Sequence, residues 1–318
     1  MQYVLIIVGL LLLIIGGELL IRGAMSAANK FKVSPFLSGL VIVGFGTSMP
    51  ELTVSVNAVI NNNSSIALGN IIGSNIGNIG LIIGVCGLIT PLTYNPLALR
   101  RDAIVMLSAV VVFVLLGLLG YFSFLAATLM LTMLAGYLAW TIFTERNTRN
   151  PSQKLHQDEG QELHSQAHKT WQVGLLIIFG LSFLIIGAQW FVSGATTIAT
   201  NIGISEAFIG LTLVAVGTSL PEFTISLIAV FRKHTDVAVG NIVGSNIFNI
   251  LAILGISSLI SPIGLAGRFV YFDQWVLLFI TVIFTLFLML GRSIGRVQSA
   301  LLLTLYLLYL AFGYLYFI

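Results

Sequence analysis

The chain has 318 residues, of which 58% are hydrophobic and only 8% are charged, and its formal net charge is +3. Soluble domains carry about 25% charged residues, so this composition excludes a soluble globular protein and predicts a polytopic membrane protein. The apolar runs are about 20 residues long, which suits helices that cross a bilayer core. The short alternating segments typical of barrel strands do not occur, and the small net charge gives no indication of nucleic-acid binding.

Ten apolar segments along the chain predict ten membrane-spanning helices. They cover roughly residues 3–22, 36–60, 66–88, 103–119, 122–143, 173–192, 206–231, 237–260, 272–291 and 297–316. One polar segment, 144–170, divides them into five and five. It contains His156, His164 and His168, and a solvated linker explains these histidines more simply than a metal or pH sensor does.

The Lys and Arg residues are unevenly distributed over the predicted loops. All but one of the 14 fall on the side opposite the N-terminus, and only Arg268 falls on the N-terminal side. Because loops rich in Lys and Arg stay in the cytoplasm, we expect both termini outside and the loop 144–170 inside. The expected location is the plasma (inner) membrane of a prokaryote.

Two motifs of the first half return in the second half, 171 residues later. GTSMPE at 46–51 matches GTSLPE at 217–222, and GNIIGSNIGN at 69–78 matches GNIVGSNIFN at 240–249. Such self-similarity at a fixed offset is typical of an internal repeat.

The number of spans fixes the relative orientation of the two copies. Each half has five predicted spans, an odd number, so the second copy must enter the membrane upside down relative to the first. The predicted fold is therefore an all-α polytopic membrane protein whose ten helices form two inverted-topology repeats, 1–143 and 171–318, with motif regions 46–78 and 217–249. This plan is common in secondary transporters, whose site lies near the midplane between the repeats.

Glu51 and Glu222 are the only acidic residues well inside the predicted spans. Ionisable residues within a membrane are expensive and functional by default. Two symmetric copies favour a transport site over a protonated glutamate that only joins two helices. Glu18 lies near the end of the first span, close to Arg22, and an interfacial ion pair explains it more simply.

A proline precedes each of these glutamates. Pro50 and Pro221 cannot donate to the carbonyl four residues back, so we expect freed carbonyls at Gly46 and Gly217 and disturbed carbonyls beside them. Freed carbonyls within a membrane need partners, and a bound cation is one.

Asn, Ser and Asn recur at intervals of four residues in the third and eighth spans, and this spacing forms a polar stripe along each helix. The stripes comprise Asn70, Ser74, Asn78, Asn241, Ser245 and Asn249. The two glutamates, the carbonyls of Thr47 and Thr218, and the Asn side chains together offer the six or more hard oxygens that calcium prefers. Two negative charges match one divalent or two monovalent cations, and this equality predicts exchange, because such a buried site is costly without a cation.

The paired motifs resemble the two alpha-repeats of the calcium/cation antiporter superfamily, which includes the sodium/calcium exchangers and their prokaryotic relatives. The resemblance covers nearly the whole chain and implies adjacent calcium and sodium sites. The implied ligands are Glu51, Glu222, Thr47, Thr218, Ser48, Ser219, Ser74, Ser245, Asn78 and Asn249, with backbone oxygens of Gly44 and Ala215. Some family members carry Asp where this chain has Asn249, and the lack of this third acidic residue argues against potassium coupling.

The leading interpretation is a secondary antiporter that exchanges calcium for sodium by alternating access, with the first and sixth spans sliding across the other eight. It implies no enzymatic activity, no cofactor and no obligatory protein partner. The transported calcium and sodium ions and the lipid bilayer are the expected partners. Proton/calcium exchange, with Glu51 or Glu222 taking the proton, is the alternative within this class. An intramembrane enzyme would not need the ligand shell in duplicate, and a channel would show single-channel currents.

Overall fold

The computed structural model describes residues 2–31, 35–94, 96–147, 170–201 and 215–317. These residues are almost entirely helical, as the sequence predicts. The predicted linker 144–170, with its three histidines, lies mostly outside the described residues. The same is true of the first part of the predicted span 206–231.

The two halves of the chain contain corresponding series of helices and short strands. The elements of the first half are α1 (Gln2–Phe31), α2 (Pro35–Ser38), α3 (Gly39–Thr47), α4 (Met49–Ile60), α5 (Ser64–Ile89), β1 (Leu92–Thr93), α6 (Pro96–Gly117), β2 (Tyr121–Phe122) and α7 (Phe124–Asn147). The elements of the second half are α8 (Thr170–Asn201), α9 (Ala215–Thr218), α10 (Leu220–Phe231), α11 (Thr235–Ile260), β3 (Ile263–Gly264), α12 (Phe269–Leu290), β4 (Ser293–Ile294) and α13 (Arg296–Phe317).

Helices α1 and α8 are longer than the apolar runs that predict them. The predicted spans 3–22 and 173–192 end near the first polar or basic residues, whereas the helices continue to Phe31 and Asn201. The segment that follows Arg22, GAMSAA, contains no proline and several good helix formers. Helical hydrogen bonding therefore continues beyond the end of the apolar stretch.

The second predicted span is a broken helix rather than a continuous one. Helix α3 ends at Thr47, α4 begins at Met49, and the two are bent by 42°. Pro50 lies in the first turn of α4, where its missing N–H costs no helical hydrogen bond. The Gly46 carbonyl accepts a hydrogen bond from the N–H of Ser48, so the expectation that this carbonyl is freed is wrong.

The second motif copy contains the same break. Helix α9 ends before Ser219, α10 begins at Leu220, and Pro221 lies in its first turn. The turns that follow α4 and α10 also correspond, because Asn62 and Lys233 both have a positive φ, 59° and 61°. The turns therefore have the same backbone geometry although their sequences, Asn-Asn-Asn and Arg-Lys-His, differ.

Two small antiparallel sheets join the halves to each other. Strand β1 pairs with β4, with Leu92 opposite Ile294, and β2 pairs with β3, with Phe122 opposite Ile263. Each sheet contains one strand from either half of the chain. The loops of the two halves are therefore fastened to each other in both places.

The apolar helices fit a membrane protein. Among the described residues, α1, α5, α7, α8, α11, α12 and α13 are long and apolar enough to cross a bilayer, and the bent pair α3 and α4 makes an eighth span if it counts as one. Helix α10 is a shorter apolar helix. The count of ten spans stays a prediction. Helices α5 and α11 lie at the centre of the fold, since their apolar stretches are mostly or wholly buried, whereas most residues in those of α1 and α8 are not buried.

Candidate cation-binding site

The two carboxylates predicted as the centre of a site lie in the first turns of two helices. Glu51 is in the first turn of α4 and Glu222 in that of α10, and their side chains are 1% and 0% exposed. The N-terminal end of a helix carries a partial positive charge that favours a carboxylate. The serines that precede these helices reach the carboxylate of the other helix, so the two first turns lie next to each other. The fold therefore brings one acidic group from each motif copy into one buried place.

The serine at each helix break donates a hydrogen bond to the glutamate of the other motif copy. The hydroxyl of Ser48 donates to Oε1 of Glu222 at 2.9 Å, and that of Ser219 donates to Oε1 of Glu51 at 3.2 Å. Each motif copy thus supplies a hydroxyl to the carboxylate of the other copy. The pairing of serine with glutamate therefore runs between helices and not along one helix.

The two threonines occupy the last positions before the breaks. Thr47 ends α3 and Thr218 ends α9, and the last carbonyls of a helix lack partners within it. The hydroxyl of Thr47 lies 3.3 Å from Oδ1 of Asn241, and that of Thr218 lies 3.3 Å from Oδ1 of Asn70. These hydroxyl contacts again run between the two copies.

The backbone carbonyl of Gly44 is a shared acceptor. It accepts from the hydroxyl of Ser245 at 2.9 Å. The hydroxyls of Ser48 and Thr47 lie 3.0 Å and 3.4 Å from it, and Gly44 is a second acceptor for the Ser48 proton. A Cβ at Gly44 would lie 2.9 Å from the carbonyl oxygen of Asn241, so glycine permits the close approach of α3 to α11. Ala215 begins α9, and its side chain and the residues before it lie outside the described part.

The remaining predicted ligands lie on α5 and α11. Ser74 and Asn249 are in contact, because the amide nitrogen of Asn249 donates to the Ser74 hydroxyl at 3.0 Å. Asn78 instead donates to Oδ1 of Asn246 at 3.0 Å. A π-helical turn begins at Asn78 and another at Asn249, and such turns are frequent at functional sites.

Two further asparagines hold the backbone of the glutamates. The amide of Asn70 donates to the backbone carbonyl of the glutamate in its own copy at 3.1 Å and to the Ser55 hydroxyl at 3.0 Å. Asn241 makes the corresponding contacts, at 3.2 Å and at 3.0 Å to Ser226. The sequence stripe includes both asparagines but gives them no role at the carboxylates. Ser55 and Ser226 were not predicted. They stand at equivalent positions in the two copies, and this match is the signal that could have found them.

Several buried oxygens of the predicted ligands have no hydrogen-bond partner within the described ranges. They are Oε2 of Glu51, Oε2 of Glu222, Oδ1 of Asn78 and Oδ1 of Asn249. Buried polar atoms are normally paired, and these four are all acceptors, so a cation is the complementary ligand. In the same part of the chain no three His, Cys, Asp or Glu side chains cluster. The oxygen donors suit calcium or sodium better than zinc or copper.

Comparison with known proteins identifies the family. The sequence model of the family described as sodium/calcium exchanger protein matches residues 1–143 and 173–315. The chain belongs to the sodium/calcium exchanger family. Its members are secondary transporters, so the expectation that the chain is a membrane antiporter and not an enzyme is confirmed.

Individual members of this family are similar to the chain over almost its whole length. The chain is 37% identical to the putative antiporter CaxA of Alkalimonas amylolytica, over 96% of each protein. It is 31% identical to the sodium/calcium exchanger MaX1 of Methanosarcina acetivorans, over 97% of each. The solved structure of the sodium-calcium exchanger NCX_Mj, soaked with sodium and calcium, matches with a TM-score of 0.83 and 32% identity, covering 98% of this chain and 97% of that one.

Proposed function

We propose that this family member exchanges calcium for sodium across the membrane by alternating access, and that Glu51 and Glu222 are its charged ligands. The observation that carries the proposal is the set of buried, unpaired acceptor oxygens on the two glutamates and on Asn78 and Asn249. The other proposed ligands are Thr47, Thr218, Ser48, Ser219, Ser74, Ser245, Gly44 and Ala215. Relatives named as a sodium/calcium exchanger and a putative antiporter support the choice of ions and reaction.

The charge of the site supports exchange rather than one-way flow. Two buried carboxylates without a cation carry a desolvation cost that their serine hydrogen bonds offset only in part. One calcium or two sodium ions neutralise both charges, so either load makes the buried site much less costly. The change between the outward-open and inward-open states is therefore fast when cations are bound and slow when both carboxylates lack a cation.

The hydroxyls around the site can adapt to either ion. Ser48 contacts both Gly44 and Glu222, so its single proton can turn from one acceptor to the other. The Gly44 carbonyl lies within hydrogen-bond distance of three hydroxyls, those of Thr47, Ser48 and Ser245, and it becomes a ligand when they turn away. Calcium tolerates 6–8 ligands in flexible geometry, which this adaptable shell suits.

The proposed architecture is ten spans in two inverted repeats of five, 1–143 and 171–318. It is supported by hydrogen bonds that recur at an offset of 171 residues, such as Ser48 to Glu222 and Ser219 to Glu51. The two sheets that each combine strands of both halves support it too. The proposed orientation follows from the distribution of Lys and Arg, with both termini outside and the linker 144–170 inside the plasma membrane.

The proposed moving part is the helix pair α1 and α8. Its support is the glycine contact between the two helices, in which a Cβ at Gly16 would lie 2.8 Å from the carbonyl oxygen of Gly180. A Cβ at Gly9 would likewise lie 2.8 Å from the carbonyl oxygen of Gly187. Small residues let the two backbones pack as one body, and this body then slides across the helices that hold the ligands.

Uptake of radioactive calcium into proteoliposomes tests the proposal. We expect uptake with an outward sodium gradient, little with a proton gradient, and none without a gradient. Uptake driven only by protons would replace sodium with protons as the driving ion. Glu51→Gln and Glu222→Gln each remove one charge while keeping the side-chain shape, and each should abolish uptake. Full uptake by both variants would contradict the site. Glu18→Gln is the matched control, because Glu18 pairs with arginines rather than lining the site.

A further inference from the structure

An asparagine ligand must present its carbonyl oxygen, not its amide nitrogen, to a cation. The amide NH₂ carries positive charge density and repels a cation. What the NH₂ group donates to therefore decides which way the amide faces. Asn78 and Asn249 occupy equivalent positions in the two motif copies, yet their amides are held in different ways.

The amide of Asn249 is oriented by another proposed ligand. Its nitrogen donates to the Ser74 hydroxyl at 3.0 Å, and Ser74 in turn lies 3.2 Å from the carbonyl oxygen of Ile71. The direction of the Asn249 oxygen is thus fixed by contacts that belong to the site itself.

The amide of Asn78 is oriented by a residue outside the proposed ligands. Its nitrogen donates to Oδ1 of Asn246 at 3.0 Å. The amide nitrogen of Asn246 points away, to the backbone carbonyl of Asn75 at 3.5 Å and to the sulfur of Met106 at 3.9 Å. Asn246 is 1% exposed, so water does not replace these contacts, and α5 and α6 hold its amide in one direction.

We infer that Asn246 is a positioning residue, whose side-chain oxygen holds the NH₂ of Asn78 so that the Asn78 oxygen faces the cation. The inference rests on the proposed function, in which Asn78 is a ligand. Asn75 stands at the position equivalent to Asn246 in the first copy but has no such role. Its amide nitrogen donates at 2.6 Å to the carbonyl of Ile71, on its own helix. Only the second motif copy therefore supplies a positioning residue of this kind, although both copies have asparagine at this position.

Removing the oxygen of Asn246 leaves the NH₂ of Asn78 without its acceptor in a buried place. A buried donor without a partner seeks another acceptor, and the carboxylates of the site are the strongest ones available. An amide that turns toward them presents its nitrogen where the cation binds. We expect the half-saturating cation concentration to rise by about threefold to tenfold, the range that one hydrogen bond controls.

The test compares Asn246→Leu with Asn75→Leu in proteoliposomes. Both changes put leucine at a buried position of the same repeated motif, so they share the cost of altered packing. We expect Asn246→Leu to raise the half-saturating concentration of calcium or sodium with a smaller change in maximal rate. We expect Asn75→Leu to leave both half-saturating concentrations close to wild type. Asn246→Asp keeps one acceptor oxygen for Asn78 but sets the other against the Asn75 carbonyl, to which the Asn246 amide donates, so we expect it to restore the affinity only in part.

Each other outcome decides against the inference. Equal half-saturating concentrations in the two leucine variants would overturn it, as would a loss confined to the maximal rate. If Asn246→Leu does not fold, Asn246→Ala removes the same oxygen without added bulk and is judged by the same measurements. The proposed function fails separately, when the wild type shows no exchange or when Glu51→Gln exchanges normally. An active wild type with an unaffected Asn246→Leu contradicts the positioning role alone.

Discussion

The helices that hold the proposed ligands and the pair α1 and α8 are packed in opposite ways. In the most apolar 18 residues of α5 and α11, 78% and 100% of the positions are buried, against 33% and 22% in α1 and α8. The central helices exchange polar contacts, such as that of Asn249 with Ser74. In the peripheral pair, Gly9, Gly16, Gly180 and Gly187 let the two backbones come into close contact.

The difference separates a part that must keep its geometry from a part that can shift. A buried hydrogen bond is satisfied at one distance and angle, so breaking it leaves two unpaired groups. An apolar contact is non-directional, so a rigid helix pair can move over its neighbours if few polar contacts cross the boundary. Two such contacts are the hydrogen bond of Ser38 to the Ala24 carbonyl and the ion pair of Arg232 with Glu18. This difference supports the proposal that the site belongs to the central helices and the motion to the peripheral pair.

A crosslink between α1 and the central helices should have the largest effect on transport. Glu18 of α1 and Arg232, after α10, lie 2.9 Å apart through their side chains. With both replaced by cysteine in a Cys86→Ala background, a short thiol crosslinker joins the moving pair to the fixed helices. We expect complete loss of sodium-driven calcium uptake, with recovery when a cleavable crosslinker is cut.

The matched control crosslinks the pair internally. Lys30 of α1 and Thr170 of α8 lie 2.5 Å apart through their side chains, and both belong to the part proposed to move. Their crosslink should leave uptake close to that of the unlinked double-cysteine protein. Uptake that survives the Glu18–Arg232 crosslink would refute the sliding motion, and equal losses from both crosslinks would mean that α1 and α8 move relative to each other.

Substitution of Asn241 should have the next largest effect, because its amide holds the backbone beside Glu222. Asn241→Leu removes the donor to the backbone carbonyl of Glu222 and to the hydroxyl of Ser226. Each buried group left unpaired costs about 1–3 kcal/mol, and the carboxylate loses its support. We expect the rate of calcium uptake to fall by about tenfold or more. Ile242→Leu changes a buried neighbour without touching these contacts and serves as the control. A normal rate in Asn241→Leu would contradict a fixed site.

Substitution of Gly180 tests how tightly α1 and α8 pack against each other. A Cβ at Gly180 would lie 2.7 Å from the backbone nitrogen of Leu20, whereas one at Gly174, on the same helix, would meet nothing within 4 Å. Gly180→Ala therefore forces α1 and α8 apart, and such overpacking costs roughly 1–3 kcal/mol. We expect a lower melting temperature and a several-fold lower maximal rate, with unchanged half-saturating calcium. Gly174→Ala should behave like the wild type, and identical behaviour of both variants would show that the contact is not tight.

Much of the fold was open to prediction because it depends on local patterns and on the repeat. Apolar runs located the helices, and the recurring motifs marked Glu51 and Glu222, which contact each other's motif copy through Ser48 and Ser219. The lengths of α1 and α8 were wrong, because hydropathy reports where a helix leaves apolar surroundings and not where its hydrogen bonds end. The break at Ser48 was expected only as a disturbance caused by Pro50, since a proline in the sequence does not reveal which turn it occupies.

The contacts within the site were harder to predict because they cross between the copies. The sequence places Ser48 near Glu51 on one helix, whereas its hydroxyl donates to Glu222. The equal motifs also conceal a difference, since Asn78 and Asn249 have the same sequence context but different partners. Such choices depend on the packing of helices far apart in the chain, and a pattern within one helix carries no information about them.

The smallest expected effect concerns the ion pair that links the two parts. Glu18 accepts from Arg22 on its own helix and from Arg232 at the end of α10, and both arginine side chains are more than half exposed. Exposed ion pairs contribute about 0.2–1 kcal/mol, so Arg232→Gln should shift the balance between the two open states by less than about fivefold. We expect the half-saturating calcium concentrations measured from the two sides of the membrane to change in opposite directions. Arg22→Gln breaks a pair inside α1 and should change neither, so equal shifts in both variants would mean that surface charge, and not the link between the parts, sets the balance.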